Sequence, residues 1–266
     1  MKKIYRKSVC LAASAMLFLS GTTLPAQAGL IGLYQFDDAS NLGKDTSGNH
    51  NDATDNGATF TNSGYQGGAA HFDGSSFLSV AIDVNPTVLP QMTWGAWVKP
   101  DVLSASTVQT VLSSDNGGFD RTITIDYRGG GGASSFSAYT SSGVWASGVA
   151  PSTSQWEFVA AVYDASKVSL TFYANGQSFQ ISSSFGPSQT FFDIGNDPSF
   201  GQLFLGSIDN VFVYDQALTA SQIATIQSNG FPPASTVPEP SSFALMGLGG
   251  LGLAIRAMKR RRASVV

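Results

Sequence analysis

The chain has one cysteine, Cys10, and two histidines in 266 residues. Cys10 lies in an N-terminal stretch that reads as a removable leader, so the mature protein keeps no thiol. Disulfides, thiolate nucleophiles and cysteine-bound metals are thereby excluded. Glutamate is equally scarce, with only Glu157 and Glu239. Glycan hydrolysis asks one carboxyl to give a proton while another attacks or activates water, and no ExDxxE spacing exists to supply them. HExxH and GxSxG are also missing, and His71 in AAHFDG reads as a surface strand residue. The glycine run Arg128 to Ser135 lacks the lysine and helix of a phosphate loop and reads as a connection between strands.

Positive charge is missing from the middle of the chain. Between residues 29 and 235 only Lys44, Lys99, Arg121, Arg128 and Lys167 oppose Glu157 and all 16 aspartates, a net charge of −12. Such a surface repels phosphate backbones, which excludes nucleic acid and favours divalent cations. The same acidity also serves solubility without binding anything.

The remaining nine bases sit in the two flanks. Lys2, Lys3, Arg6 and Lys7, an apolar Val9 to Leu19 and the small-x-small Ala26-Gln27-Ala28 make residues 1–28 a signal peptide. At the other end, uncharged residues 241–255 would form a helix of roughly 22 Å, short of a ~30 Å hydrocarbon core, which suits a thin or transient membrane span. Arg256 and Lys259 to Arg262 follow, a cluster that stays cytoplasmic and leaves everything before it outside.

What is abundant is the pattern of short strands. Segments Leu30 to Phe36, Ala69 to Phe72, Phe77 to Ile82, Thr93 to Lys99, Val108 to Leu112, Thr122 to Tyr127, Ser134 to Tyr139, Glu157 to Tyr163, Val168 to Tyr173, Gln177 to Ile181, Phe191 to Ile194 and Ile208 to Tyr214 are separated by Gly, Asn, Asp and Ser. No helical crossover pattern interrupts them, which predicts an all-β sandwich or barrel. Asn175-Gly176 predicts a type I′ hairpin in which Phe172 opposes Phe179 and Leu170 opposes Ile181. In MTWGAWVKP, Met92, Trp94, Ala96 and Val98 point to the core, and Trp97 suggests partial cover on the other face. Strict alternation in GSIDNVFVYD would put Asp209 on one face with Val211 and Val213, where a carboxylate asks for a partner. After the last strand, Thr219 and Gln222 form a capping box for a short helix ended by Gly230, with Leu218 stapled against Ile223.

Two resemblances follow from ordered motifs. Val237-Pro238-Glu239-Pro240, the apolar stretch and the basic tail resemble the PEP-CTERM sorting signal of Gram-negative bacteria, occupying residues 237–262 behind a linker at 232–236. This implies export through the inner membrane, an exosortase-type processing enzyme as partner, and residence in the envelope, outer surface or extracellular matrix. Pro238, Glu239 and Pro240 are the expected processing motif, because the prolines hold an extended backbone. Within residues 29–231, LYQFDDA, DTSGNHNDAT, GGAAHFDGSSFLSV, MTWGAWVKP, WEFVAAVYD, FYANG and GSIDNVFVYDQALTASQI resemble in order the LamG-like, concanavalin A-like jelly roll. The implied fold is two antiparallel sheets packed face to face, with sugar or protein bound at a loop edge or on the concave face.

The same resemblance implies a structural calcium carried by Asp38, Asp45, Asn49 and Asp209, since an Asp/Ser/Gly/Asn loop supplies the oxygens calcium takes. The competing reading is that Asp45, Ser47 and Asn49 bond only their own turn. For ligand binding, Trp145 and Phe119 lie in or beside Gly/Ser loops where they could stack on sugar, with Asp115 and Asn116 bonding hydroxyls. Inward packing of Trp145 is the alternative. The function expected is a non-catalytic, exported module binding glycan or matrix protein; the other reading is a glycan hydrolase with an unrecognised Asp pair.

Overall fold

The computed structural model of the chain describes residues 29–129 and 132–231. The expectations for the signal peptide, the linker, the membrane span and Pro238, Glu239 and Pro240 lie outside these residues. In chain order the strands are β1 (Leu30–Tyr34), β2 (Thr54–Asn56), β3 (Thr59–Thr61), β4 (Ala69–Asp73), β5 (Phe77–Val80), β6 (Gln91–Pro100), β7 (Gln109–Ser113) and β8 (Thr122–Asp126). They continue as β9 (Ser135–Thr140), β10 (Gly143–Ala146), β11 (Glu157–Asp164), β12 (Ser169–Ala174), β13 (Gln177–Ser182), β14 (Phe192–Ile194) and β15 (Leu205–Tyr214), followed by helix α1 (Ala220–Asn229). One sheet runs β13-β12-β11-β6-β15-β4-β3, with β1 also paired to β15; the other runs β10-β9-β8-β7-β14-β5-β2. The expected sandwich is therefore present, with every expected strand in place.

Side-chain alternation divides each sheet into an inner and an outer face. Trp94, Ala96 and Val98 of β6 and Phe172 of β12 meet Ile123, Ile125, Phe136 and Ile194 of the second sheet in the main core. Burying each large side chain stabilises the fold by about 1.5–3 kcal/mol. The outer face of the first sheet carries a second apolar layer of Trp97, Phe158, Phe212 and Tyr214, which Leu218, Ile223 and Ile226 of the α1 region cover. Trp97 is only 2% exposed, so its cover is complete rather than partial. The helix has the Thr219–Gln222 capping box and ends at Gly230.

The β12–β13 hairpin has the register that Asn175-Gly176 dictates: Ala174 opposes Gln177, Phe172 opposes Phe179 and Leu170 opposes Ile181. Both turn residues have positive φ, 47° and 79°. Three strands escaped the sequence pattern, β2, β3 and β10. They are three or four residues long and none of their side chains is fully buried, so they carry no apolar alternation to detect.

One expectation fails in an informative way. Asp209 does not share a face with Val211 and Val213. The β15–β6 register shifts between Asp209 and Phe212, and Asn210 sits in the left-handed region at φ 49°. This bulge inserts one residue and reverses the alternation. Ile208, Val211 and Val213 therefore all enter the main core, while Asp209, paired with Trp97, joins Phe212 on the outer face.

Candidate functional site

The four expected calcium ligands do not fit together as one ligand set. Asp45 Oδ1 accepts the N–H groups of Leu33 at 3.0 Å and Ser47 at 2.8 Å. Its Oδ2 accepts the Ser47 hydroxyl at 2.8 Å and the Asn51 N–H at 3.0 Å. Asn49 donates its amide to Leu30 O at 2.8 Å and Ser47 Oγ at 3.0 Å. These bonds hold a turn against β1. Asp38 lies at the surface, where its bonds to the Ser40 hydroxyl and N–H keep the carboxyl below the usual carboxylate range and Lys44 Nζ stands 3.6 Å away. Among the described residues, no three His, Asp or Glu side chains stand together in metal-binding geometry.

Asp209 belongs to the neighbourhood of residues 65–68. It is fully buried, its Oδ2 accepts the Gln66 N–H at 3.0 Å, and its Oδ1 has no partner. Burial pushes its pKa up to about 7 against the N–H groups of Gln66, Asn210 and Tyr65, and the charge of Asp37 adds repulsion. Asp37 in turn accepts the Gly68 N–H at 2.8 Å. Two carboxylates thus hold one loop, beside Phe36 and Asn210, both at positive φ.

A second site forms on the outer face of the β10-to-β2 sheet. Because Ile123, Ile125, Phe136 and Ala138 point inward, Thr122, Thr124 and Asp126 of β8 and Ser135, Ser137 and Tyr139 of β9 point outward. Thr124 opposes Ser137 and Asp126 opposes Ser135. Polar residues on an unshared face would normally be solvated; here Thr124, Ser137 and Asp126 are fully buried. Loops provide the cover. Tyr139 meets Phe119 from the β7–β8 loop edge-on, with ring centroids 5.4 Å apart, and donates its hydroxyl to Gln202 Oε1 from the β14–β15 loop at 2.8 Å.

The floor beneath these loops is preorganised. Arg128 bonds the Asp126 carboxylate through Nε at 3.0 and 3.1 Å and through Nη2 at 2.6 Å, and Nη2 also donates to the Tyr139 hydroxyl at 2.9 Å. The Asp126 carboxylate raises the Arg128 pKa further, and burial raises that of Tyr139. At the rim, Phe119 is 37% exposed and Phe200 57%. Phe119 is held at φ 59°, a conformation that disfavours side chains.

The expected ligand residues separate accordingly. Phe119 stands at this rim. Asn116 ties its loop down, donating its N–H to Asp120 Oδ2 at 3.2 Å and its amide to Pro187 O at 2.6 Å. Asp115 is fully buried and accepts the Asp120 N–H at 2.9 Å. Trp145 packs on Phe172 and Phe179 with centroids 5.8 and 5.4 Å away, so it belongs to the core and not to the loop face. Sequence reasoning missed Arg128, Tyr139, Asp197, Phe200 and Gln202. The outward Thr, Asp, Ser and Tyr positions of TITID and SFSAYT were the available signal.

A two-sheet antiparallel jelly roll with loop-covered polar face defines a lectin-like module. The chain belongs to the concanavalin A-like lectin/glucanases superfamily, whose model matches residues 72–224. A PEP-CTERM protein-sorting motif matches residues 236–262, which marks an exported, cell-surface protein processed by an exosortase-type system. Domain 4 of AbnA, a GH43 extracellular arabinanase from Geobacillus stearothermophilus, solved with arabinotriose, is similar at 24% identity and TM-score 0.54; the match covers 74% of this chain and 97% of that one. The botulinum neurotoxin serotype D binding domain is similar at 15% identity and TM-score 0.56, covering 77% of this chain. The binding domain of Paraclostridial Mosquitocidal Protein 1 is similar at 13% identity and TM-score 0.59, covering 75%. The chain spans about half the length of these two toxin domains, 52% of each. At these identities the likeness concerns the fold. No curated protein matches the chain.

Proposed function

We propose that this protein is a non-catalytic module, exported by a Gram-negative bacterium to its envelope or extracellular matrix, that binds a glycan across the loop-covered face of the β10-to-β2 sheet. The observation that carries this reading is the exposed Phe119 ring resting on Tyr139, whose hydroxyl joins Arg128, Asp126 and Gln202 in one chain of hydrogen bonds. An aromatic face meets the C–H face of a sugar, and a fixed polar network beside it reads hydroxyl positions. AbnA domain 4, solved with arabinotriose, shows that one member of this fold was studied with an oligosaccharide.

Binding is favoured over hydrolysis by the placement of the aspartates. Asp120 and Asp197 are the loop carboxyls pushed up to about 6, by burial foremost, which would suit a proton donor. They are 2% and 0% exposed, however, and cannot reach a glycosidic oxygen. A glycan array probed with the exported protein, run beside a reducing-sugar release assay, tests the reading. Retention that Phe119→Ala abolishes supports it; release of reducing ends overturns it.

Calcium enters the proposal as a stabilising ion at Asp209 and Asp37 rather than at the Asp45 turn. The buried, unpaired Asp209 Oδ1 beside a second carboxylate supports this placement, because buried charges are retained where they are paired or bind metal.

A further inference from the structure

The side chain of Gln66 is used by neither the glycan face nor the Asp209 site. Its amide straddles Gly230: Nε2 donates to Asn229 O at 3.1 Å, and Oε1 accepts the Phe231 N–H at 3.0 Å. It therefore pairs with two backbone groups of the departing chain as a neighbouring strand would. Gly230 makes this approach possible. Its φ of 61° and ψ of −152° lie where essentially only glycine is found, and a Cβ there would collide with the Gln66 amide. The Gly230 N–H also closes α1 by bonding Ile226 O at 2.8 Å. The turn out of the helix and the clamp on it are thus built on one residue.

Both sides of the clamp are fixed. On one, the Gln66 backbone N–H bonds Asp209 Oδ2 at 3.0 Å, Tyr65 stacks on Trp97 with centroids 4.6 Å apart, and the Gly68 N–H bonds Asp37 Oδ1 at 2.8 Å. On the other, Phe231 lies 5.5 Å from Phe212 and 6.5 Å from Trp97 between ring centroids, and its carbonyl accepts the Gln35 amide at 3.3 Å. Phe231 is only half-buried. A terminal segment with so few contacts opens at far lower free energy than the sheets beneath it, unless a side chain latches it. The sorting motif follows closely. Residues 232–237 are all that separates Phe231 from Pro238, and that length of chain reaches at most about 25 Å.

We propose that Gln66 and Gly230 are positioning residues for C-terminal processing: their clamp fixes where the tail begins, so that Pro238-Glu239-Pro240 is presented to the exosortase-type enzyme at one short reach beside the α1 face of the sandwich. The proposal rests on the reading of residues 236–262 as a processed sorting motif. It makes no use of glycan binding. Opening the clamp frees Gly230 and Phe231, which adds up to about 7 Å of reach and lets the motif move away from the α1 face. Gln66 touches no reacting atom; it acts through the backbone that it holds.

The test follows processing of the full-length protein, after a pulse of synthesis, by mass spectrometry of its C-terminus in a host that carries an exosortase-type enzyme. Wild type is compared with a deletion of Ala234 and Ser235, which shortens the reach by about 7 Å and spares the matched motif. The same deletion is then combined with Gln66→Ala or with Gly230→Ala. Gln66→Ala keeps the backbone N–H that Asp209 accepts, so the loop stays anchored, while Gly230→Ala opens the clamp from its other side. Folding of each variant is checked by resistance of the domain to trypsin. The expected result is that the deletion is processed at least about threefold more slowly than wild type, and that either substitution returns the rate to within about twofold of it. A clamp that served stability alone would give no such rescue. Processing of the deletion at the wild-type rate would overturn the proposal, as would folded clamp variants in which the deletion stays slow. Wild type left uncut in a host that processes its own sorted proteins would sink the processing reading along with it.

Discussion

Asp209 stands directly opposite Trp97 in the pairing of β15 with β6, and Tyr65 stacks on that indole with ring centroids 4.6 Å apart while its neighbour Gln66 bonds the carboxylate. A buried acid and a buried indole are thus closed by the same loop. Asp209→Ala removes the acceptor of the Gln66 N–H and should destabilise the fold by about 1–3 kcal/mol, read by urea unfolding. Calcium should raise the melting temperature of wild type and chelator should lower it, because an ion bound only to the folded state stabilises it by about 2.7 kcal/mol at a hundredfold excess over Kd. Asp209→Asn should reduce that calcium response. A response identical to wild type would remove calcium from this position.

Gly95 is needed for the second apolar layer. A Cβ there would meet Val159 O at 2.5 Å and the Phe212 ring at 2.6 Å, because the Phe212 side chain crosses over the strand at this point. Gly95→Ala should cost about 1–3 kcal/mol by overpacking. Unchanged chemical denaturation would show that both the Phe212 ring and the β11 backbone at Val159 can give way.

Trp145 and Phe119 should respond in opposite ways. Trp145→Ala opens a space beside Phe172 and Phe179 and should cost about 2–3 kcal/mol of stability, with glycan retention unchanged per folded molecule. Phe119→Ala should cost less than Trp145→Ala, about 1 kcal/mol or a shift of about 2–4 °C, since the ring is partly exposed and contacts Tyr139 edge-on, and should abolish retention.

Asp164 supplies an acid-side signature. Lys167 and the Ser166 hydroxyl hold its carboxyl well below the ordinary range, with Lys167 Nζ 2.8 Å away. A folded-state pKa below the unfolded value of about 3.9 contributes stability that is present at neutral pH and lost as pH falls beneath that value. Asp164→Asn should therefore melt lower than wild type at pH 7, with the gap closing as the pH is taken down to about 2. A gap that stays constant with pH would assign the loss to something other than this carboxyl.

The parts of the fold legible in the sequence are those set by local chemistry. Asn175-Gly176 fixes a turn through positive φ, and the register of six residue pairs follows from it. Thr219 and Gln222 announce a helix start because their bonds are made within one turn. The face of Asp209 was illegible because a single left-handed residue, Asn210, reverses alternation, and asparagine tolerates that conformation without requiring it. The loop-covered site was half legible. Phe119 could be picked from its Gly-rich surroundings, whereas Gln202 meets Tyr139 across 63 positions of sequence and only the closed sheet brings them together.

The last described residue also gives the molecule a direction. Phe231 tilts against Phe212 and meets Trp97 edge-on, its carbonyl accepts the Gln35 amide, and its N–H donates to Gln66. The polypeptide therefore departs from the helix-covered side of the sandwich, with both sheets, stacked roughly 10 Å apart, between that exit and Phe119. Phe119 and the C-terminal end of the described domain thus face opposite ways across the sandwich.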